Sequence, residues 1–380
     1  METIKMLHIS DVHIGAPFQF LGLRGGEQRL ALRDALTRVA LIAREERYQL
    51  LVVAGDLFNS AYDTSDADVS FVIGCLNDAG PSCHVVILPG GHDHFSAGSI
   101  YERELKRFEA LGNVHVLAPG RRVIEFPELS LAVHGKALTS NVAAESALAG
   151  LAPVPGRRWN VCLAHCSVAG FSADLDTRDT PARLEDLARG FDYVGLGHWH
   201  SYRVLREKGP PVLYSGSPEI VARDQQGAGF AVSAVLSSGG IAFERRAVGK
   251  RRVESRSIDC TGLASTEEFV KRVLKAVPPD PNLILELSLS GLIGIDSALD
   301  SGAGSSELER HYFSVRLAGK GPSREISREA LLAVPEETVA GALVRDMLKK
   351  IESSEGETRE LYEEALQLAY QLFKGRDLLG

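Results

Sequence analysis

The chain has 380 residues, enough for two domains of the usual ~100–200 residues, and its 44% hydrophobic, 24% charged and 7% aromatic content excludes a disordered tail or a collagen-like rod. Lys and Arg number 42 against 50 Asp and Glu, a net charge of −8, so no global basic field marks a nucleic-acid or membrane partner and any anion site has to be local. No apolar run reaches the ~18 residues of a membrane span, and the five cysteines contain no Cys-x-x-Cys, which argues against a disulfide framework and a thiolate zinc site.

Residues 1–10 read as a strand and not as a leader, because no basic segment precedes a long apolar stretch, and a cytoplasmic location is expected. Short apolar runs at residues 6–9, 50–53, 85–88, 161–163 and 193–196 alternate with helical patterns, the habit of a layered α/β domain. Between the first two runs, Leu32, Leu36, Val39, Ala40 and Ala43 recur at helical spacing and predict a crossover helix over residues 27–47. Residues 230–236 and 241–248 flank Ser237-Ser238-Gly239-Gly240 and predict a hairpin that closes a first domain at about residue 250.

A second region opens with Ser265-x-x-Glu268, a capping box, followed by Pro278-Pro279-Asp280-Pro281 and an apolar strand at 283–289. Residues 297–306, rich in Gly and Ser, predict a mobile loop. Near the end, Val339, Leu343, Met347 and Ile351 form one apolar stripe, and Leu361, Ala365, Leu368 and Leu372 form another. The expected divisions are therefore 1–250, an α+β cap over 255–335, and amphipathic helices over 336–380.

The chemistry lies in the residues directly after the apolar runs. Five times a presumed strand leads into Asp or His: Asp11-Val12-His13, Gly55-Asp56, Gly90-Gly91-His92-Asp93, Ala164-His165 and Gly197-His198-Trp199-His200. In parallel α/β sheets ligands collect at the carboxyl ends of strands, so these groups are expected to converge. Asp and His without Cys suit a divalent ion such as Mn²⁺, Fe²⁺ or Zn²⁺. Two such ions about 3.5–4 Å apart need a carboxylate between them, and Asp56 is the natural bridge. Two cations outweigh the charge of Asp11 and Asp56, attract a phosphate and acidify water for in-line attack.

Ser10-Asp11-Val12-His13-Ile14-Gly15, Gly55-Asp56-Leu57-Phe58, Gly90-Gly91-His92-Asp93, His165 and Gly197-His198-Trp199-His200 resemble, in that order, the motif series of calcineurin-like metallophosphoesterases. More narrowly they resemble the SbcD-type DNA repair exonucleases of the short bacterial branch. The resemblance covers residues 4 to about 248, with Tyr214-Ser215-Gly216-Ser217-Pro218 included. It implies an α/β fold: a β-sandwich flanked by helices, with a smaller α+β C-terminal cap domain.

The activity it implies is metal-dependent hydrolysis of DNA phosphodiesters with two divalent ions, Mn²⁺ expected. One ion is implied at Asp11, His13, Asp56 and His200, and a second at Asp56, His165 and His198. His92 is implied as the catalytic histidine, with Asp93 as its partner. The family pattern is Gly-Asn-His-Asp, so Gly91 stands where an Asn ligand is usual and a weaker second site is expected, with His94 the substitute ligand to consider. Asn59 either orients His92 or caps the next turn.

The implied partners are DNA, held by its backbone and ends through groups such as Arg121, Arg122, Arg178 and Arg203, and an SMC-like (SbcC-type) ATPase docking on residues 339–373, with a homodimer as a further assembly and no membrane. Two rival readings are a nucleotide or cyclic-nucleotide phosphodiesterase on the same core and a weakly active subunit that holds DNA ends. His8 alternates away from Asp11 and reads as a core histidine, and Asp63, Asp66 and Asp68 read as a solvated loop without EF-hand spacing. His84, His115, His134 and His311 receive no role.

Overall fold

All five apolar runs become strands buried on both faces, which is why they read as continuous apolar segments and not as an alternation. The computed structural model describes residues 3–142, 145–171, 182–187, 189–222, 225–294, 297–319, 321–326 and 328–373, in two units, Met1–Val253 and Glu254–Gly380. Arg178 lies outside the described residues.

The first unit runs β1 (Ile4–Ile9), α1 (Gly25–Glu45), β2 (Leu50–Ala54), α2 (Asp66–Asp78), β3 (His84–Leu88), α3 (Ile100–Glu109), β4 (Val114–Val116), β5 (Val123–Phe126), β6 (Leu131–Gly135), β7 (Trp159–His165), α4 (Leu184–Leu187), β8 (Tyr193–Gly197), β9 (Arg203–Arg206), β10 (Val212–Tyr214), β11 (Phe230–Ser237) and β12 (Gly240–Ala247). One six-stranded sheet has the order β12-β11-β1-β2-β3-β4 and the other β5-β6-β7-β8-β10-β9. Strands β1 to β4 pair in parallel, as do β6, β7, β8 and β10, so their carboxyl ends share one edge of each sheet. The hairpin forms, and β11 pairs antiparallel with β1, Ile4 opposite Leu236.

The sheets face each other through Ile4, Met6, Val52 and Val86 on one side and Leu131, Val133, Val161 and Leu163 on the other. With each buried aliphatic worth roughly 1.5–3 kcal/mol, this interior is the rigid frame for the loops above it. His8 is fully buried, its Nδ1 3.0 Å from the Tyr193 hydroxyl, and burial drops its pKa to about 3: a neutral core histidine. The crossover helix buries Leu32, Leu36, Val39, Ala40 and Ala43 as their spacing requires.

The second unit contains β13 (Arg252–Asp259), α5 (Thr266–Ala276), β14 (Asp280–Ser290), β15 (Leu292–Gly294), α6 (Ser301–Leu308), β16 (Tyr312–Ala318), β17 (Ser323–Glu325), α7 (Arg328–Leu332), α8 (Val339–Glu352) and α9 (Gly356–Phe373). The Ser265 hydroxyl accepts the Glu268 N–H at 3.2 Å, and Glu268 reaches back to the Ala264 N–H at 2.8 Å, a capping box displaced by one residue. Residues 297–306 do not form a loop throughout. Asp300 caps α6 by accepting the Ala303 N–H at 2.9 Å, and Gly304 is needed there because a Cβ would meet Phe269 at 2.6 Å.

Of the two C-terminal stripes, the first enters the interior only at Met347 and Ile351 and the second through none of its leucines. Helices α8 and α9 pack on each other, but the buried side chains are Val344, Ile351, Leu366 and Tyr370, joined by Ile326 and Leu331. Leu361, Leu368 and Leu372 stay exposed, because α9 is apolar on two faces and the interior takes the other one, and Val339 at the start of α8 is exposed as well. The five cysteines are buried free thiols. Among the described residues no helix is long and apolar enough to cross a membrane.

Candidate metal centre

The loops leaving β1 and β2 run on together past their strands: the Asp11 N–H donates to the Gly55 carbonyl at 3.0 Å, His13 to Asp56 at 2.9 Å, and Ile14 to Leu57 at 3.0 Å. That path requires left-handed backbone at Asp11 (φ 54°), His13 (φ 53°) and Asp56 (φ 53°), and His198 in the loop after β8 is at φ 97°. Such conformations cost about 1–3 kcal/mol each and persist where the surrounding structure imposes them. Four of the seven non-glycine residues so placed among the described residues come from the predicted ligand set, so the strain is concentrated on this site.

Three groups of side chains bring ligand atoms within 4.8 Å of one another: Asp11, His13 and His200; His13, Asp56 and His92; Asp11, Asp56 and His165. Asp56 Oδ2 is 3.3 Å from His165 Nε2 and 3.6 Å from His13 Nε2, while Oδ1 accepts the His92 N–H at 2.8 Å. His200 Nε2 lies 3.2 Å from His13 Nε2 and 3.8 Å from Asp11 Oδ1. His165 Nδ1 donates to the Ala54 carbonyl at 3.0 Å, which turns Nε2 toward Asp56 and fixes the tautomer a metal-binding imidazole needs. Two glycines leave room for that ring: a Cβ on Gly55 would meet His165 Nδ1 at 2.1 Å, and one on Gly197 would meet the Ala54 carbonyl at 1.9 Å.

These residues fit divalent cations. Burial pushes the His13 pKa down to about 3, leaving a neutral lone-pair donor at pH 7. Burial opposes charge on His165 too, yet Asp56 beside it pushes its pKa up to about 10. Burial alone would raise Asp56, but His165 and His13 hold it well below the usual carboxylate range. A proton on His165 thus stands in for the positive charge that the buried carboxylates require, and cation binding has to displace it.

Other predicted residues fall less simply. His198 lines the same cleft, its ring 5.5 Å from that of His165 and its N–H bonded to Asp11 Oδ1 at 2.9 Å, but it belongs to none of the three tight groups. His92 is exposed on the cleft and shares a group with His13 and Asp56, so its geometry suits a ligand as well as a proton carrier. Asp93 does not contact His92. It is fully buried and accepts from the Gly90 N–H (2.7 Å), the Phe58 N–H (3.1 Å), the Asp56 N–H (3.2 Å) and the Tyr101 hydroxyl (2.8 Å), so it braces the loop that carries Asp56. Burial pushes its pKa up to about 6, aided by the charge of Asp56.

Asn59 acts through its backbone: its carbonyl accepts from His92 Nδ1 at 3.3 Å, and the next helix is capped by Ser65 instead. The sharp approach in the Gly-Gly pair belongs to Gly90, where a Cβ would sit 2.3 Å from Asp56 Oδ1, whereas a Cβ on Gly91 meets nothing within 4 Å. His94 lines the cleft but pairs with Ser96 Oγ at 3.0 Å and joins none of the tight groups. Of the candidate phosphate contacts, Arg121 pairs with Glu109 and Arg122 with the Ala149 carbonyl, while Arg203 borders a small pocket that shares His198 with the cleft.

Sequence reasoning missed Ser10, which donates to Asp11 Oδ2 at 2.5 Å and lies 2.8 Å from Ser215, and Gln225, whose amide contacts His200 Nδ1. Ser10 adjoins a motif and was open to detection; Gln225 follows no strand and carries no spacing signal. The cleft lined by Asp56, His92, His165, His198 and His200 has a volume of about 510 Å³.

A family model described as Calcineurin-like phosphoesterase matches residues 4–202. The chain is 28% identical over 242 residues to the DNA double-strand break repair protein Mre11 of Methanopyrus kandleri, a match spanning 59% of this chain and 52% of that protein. It is 25% identical over 233 residues to the protein of the same name from Sulfurisphaera tokodaii, spanning 59% and 56%. To the uncharacterized metallophosphoesterase YhaO of Bacillus subtilis it is 25% identical over 239 residues, spanning 58% and 54%. The matched stretch thus covers little more than half the length of these relatives.

Proposed function

Because the chain belongs to the calcineurin-like phosphoesterases, phosphoester hydrolysis at a metal centre is the premise, and we propose that the ester is a DNA phosphodiester and the protein a repair nuclease of the SbcD type. The observation that carries this reading is the convergence of Asp11, His13, Asp56, His165 and His200, from four separate chain segments, beside an open cleft lined by Asp56, His165 and His200, in a chain whose relatives include DNA break repair proteins. One cation would be held by Asp11, His13, Asp56 and His200 and a second by Asp56, His165 and His198, with Mn²⁺ expected. When bound, such ions polarise a phosphoryl oxygen and acidify water. His92, its Nδ1 committed to the Asn59 carbonyl, keeps Nε2 to pass a proton to the leaving oxygen. Asp93 fixes the loop on which Asp56 sits.

The test is a parallel assay of the pure protein with Mn²⁺ on linear DNA, hairpin DNA and a small chromogenic phosphodiester. Preferred cleavage of either DNA supports the nuclease. Hydrolysis confined to the small ester or to nucleotides transfers the assignment to a small-molecule phosphodiesterase.

Gly91 gives a second check. The space around it is open and its backbone is not left-handed, so Gly91→Asn should fold normally and present an amide oxygen to the second ion. We expect higher second-ion occupancy by metal titration, and a gain in activity, about threefold to tenfold, at limiting Mn²⁺ but not at saturating Mn²⁺. Two equally tight ions in the unmodified protein would mean that another group already completes the site.

The C-terminal helices are proposed to receive a coiled coil of an SMC-like ATPase along Leu361, Leu368 and Leu372, the apolar face of α9 that its own core leaves exposed. Changing these three residues to Ser should abolish co-purification of the ATPase while shifting the melting temperature by less than ~2 °C, since exposed positions contribute little to folding. Retained association would remove the face from consideration.

A further inference from the structure

Two histidines of the cleft, His165 and His200, are prepared for a cation in opposite ways. His165 Nδ1 faces the Ala54 carbonyl at 3.0 Å, an acceptor fixed in the backbone, so Nδ1 keeps a proton and Nε2 is the atom left to an ion. His200 Nδ1 faces the side-chain amide nitrogen of Gln225. The other end of that amide sets its orientation: Gln225 Oε1 accepts the Val221 N–H at 2.8 Å, and an NH₂ group in its place would meet a donor. An amide nitrogen only donates, so His200 Nδ1 has to accept, and the one proton of the ring then sits on Nε2. That is the nitrogen turned toward His13 Nε2 at 3.2 Å and Asp11 Oδ1 at 3.8 Å, with which His200 forms a ligand-competent group.

Both sides of the contact are anchored. Gln225 is 3% exposed, and the chain before Val221 is pinned by the fully buried Glu219, whose carboxylate accepts the Ile220 N–H at 2.8 Å and the Lys250 N–H at 2.7 Å, while the Gln28 amide donates to the Ile220 carbonyl at 2.7 Å. The His200 carbonyl accepts the Ser217 N–H at 2.9 Å, which holds the backbone behind the ring.

We infer that Gln225 is a positioning residue that keeps His200, in the metal-free protein, in the tautomer with its proton on Nε2, and that His200 becomes a ligand only when the Gln225 amide reverses. The inference rests on the two-ion reading of the centre and concerns how its first ion is admitted. Reversal turns Oε1 toward His200 Nδ1, which then carries the ring proton, exposes the Nε2 lone pair and leaves the Val221 N–H without its acceptor. No proton is gained or lost; it moves between the two ring nitrogens.

Nitrogen NMR of the full chain, isotope-labelled at histidine, reads the tautomer directly, with the His200 signals identified by their loss in His200→Asn. In EDTA the wild-type Nδ1 should resonate as an unprotonated nitrogen and Nε2 as a protonated one. Saturating Zn²⁺, a diamagnetic probe, should leave the proton on Nδ1 and speed hydrogen exchange at the Val221 amide. Gln225→Glu, whose two oxygens accept from Val221 and from Nδ1 together, should show Nδ1 protonated already in EDTA and bind the first Mn²⁺ roughly tenfold more tightly by calorimetric titration. Gln225→Leu, which removes the amide and adds no charge, should show both tautomers in EDTA. A protonated Nδ1 in the wild type in EDTA overturns the proposal and leaves the metal centre standing. Nε2 still protonated at saturating Zn²⁺ overturns the proposal and removes His200 from the ligand set. None of these readings depends on cleavage, so the nuclease reading stands or falls apart from them.

Discussion

Asp56→Asn is expected to lower phosphodiester hydrolysis by a factor on the order of 10³ or more, because the shared carboxylate loses its charge at the centre of the site while its shape stays. The local fold should persist: Asn tolerates the left-handed conformation at φ 53° and still accepts the His92 N–H. Stability of the metal-free protein should nevertheless fall, by on the order of 3 kcal/mol at pH 7, since a buried His165 loses its counterion. The pH dependence has a definite sign. The His165 pKa is raised from 6.5 to about 10, so its share of the stabilisation is full below 6.5 and is lost as pH rises through 10. The Asp56 pKa is held well below 3.8, so its share is full above that value and is lost as pH falls through the folded pKa. The difference between wild type and Asp56→Asn in EDTA should therefore be greatest from about pH 4 to 6.5 and shrink toward pH 10. Urea melts at three pH values and turnover with Mn²⁺ measure both parts; near wild-type turnover would refute the shared-carboxylate assignment.

His92→Gln is expected to lower the rate by on the order of 10²–10⁴, the usual contribution of a positioned proton donor, while metal content stays at the wild-type level. The backbone N–H that His92 gives to Asp56 Oδ1 survives the change, so the loop should keep its place. The geometry makes the metal measurement decisive, because His92 shares a ligand-competent group with His13 and Asp56. Loss of an ion from His92→Gln would mark His92 as a ligand and move the proton transfer to another group.

The sequence by itself determined the layered fold and much of the ligand-competent cluster beside the cleft. Strands buried on both faces must be apolar throughout, and polar residues directly after them must lie at the sheet edge, so Asp11, His13, Asp56 and His165 were legible as a converging set. The motif series and its Gly91 departure were also visible, since they are facts of order and identity. What only the tertiary structure decided depends on distance and facing. Asp93 comes directly after His92 in the chain, but a buried carboxylate must satisfy its oxygens, and the available donors were the backbone of residues 56, 58 and 90 and the Tyr101 hydroxyl. Asn59 serves by its carbonyl, which sequence identity does not specify. In α9, periodicity revealed the stripe of Leu361, Leu368 and Leu372, yet the core chose Leu366 and Tyr370, because a helix apolar on two faces leaves the choice to the element packed against it.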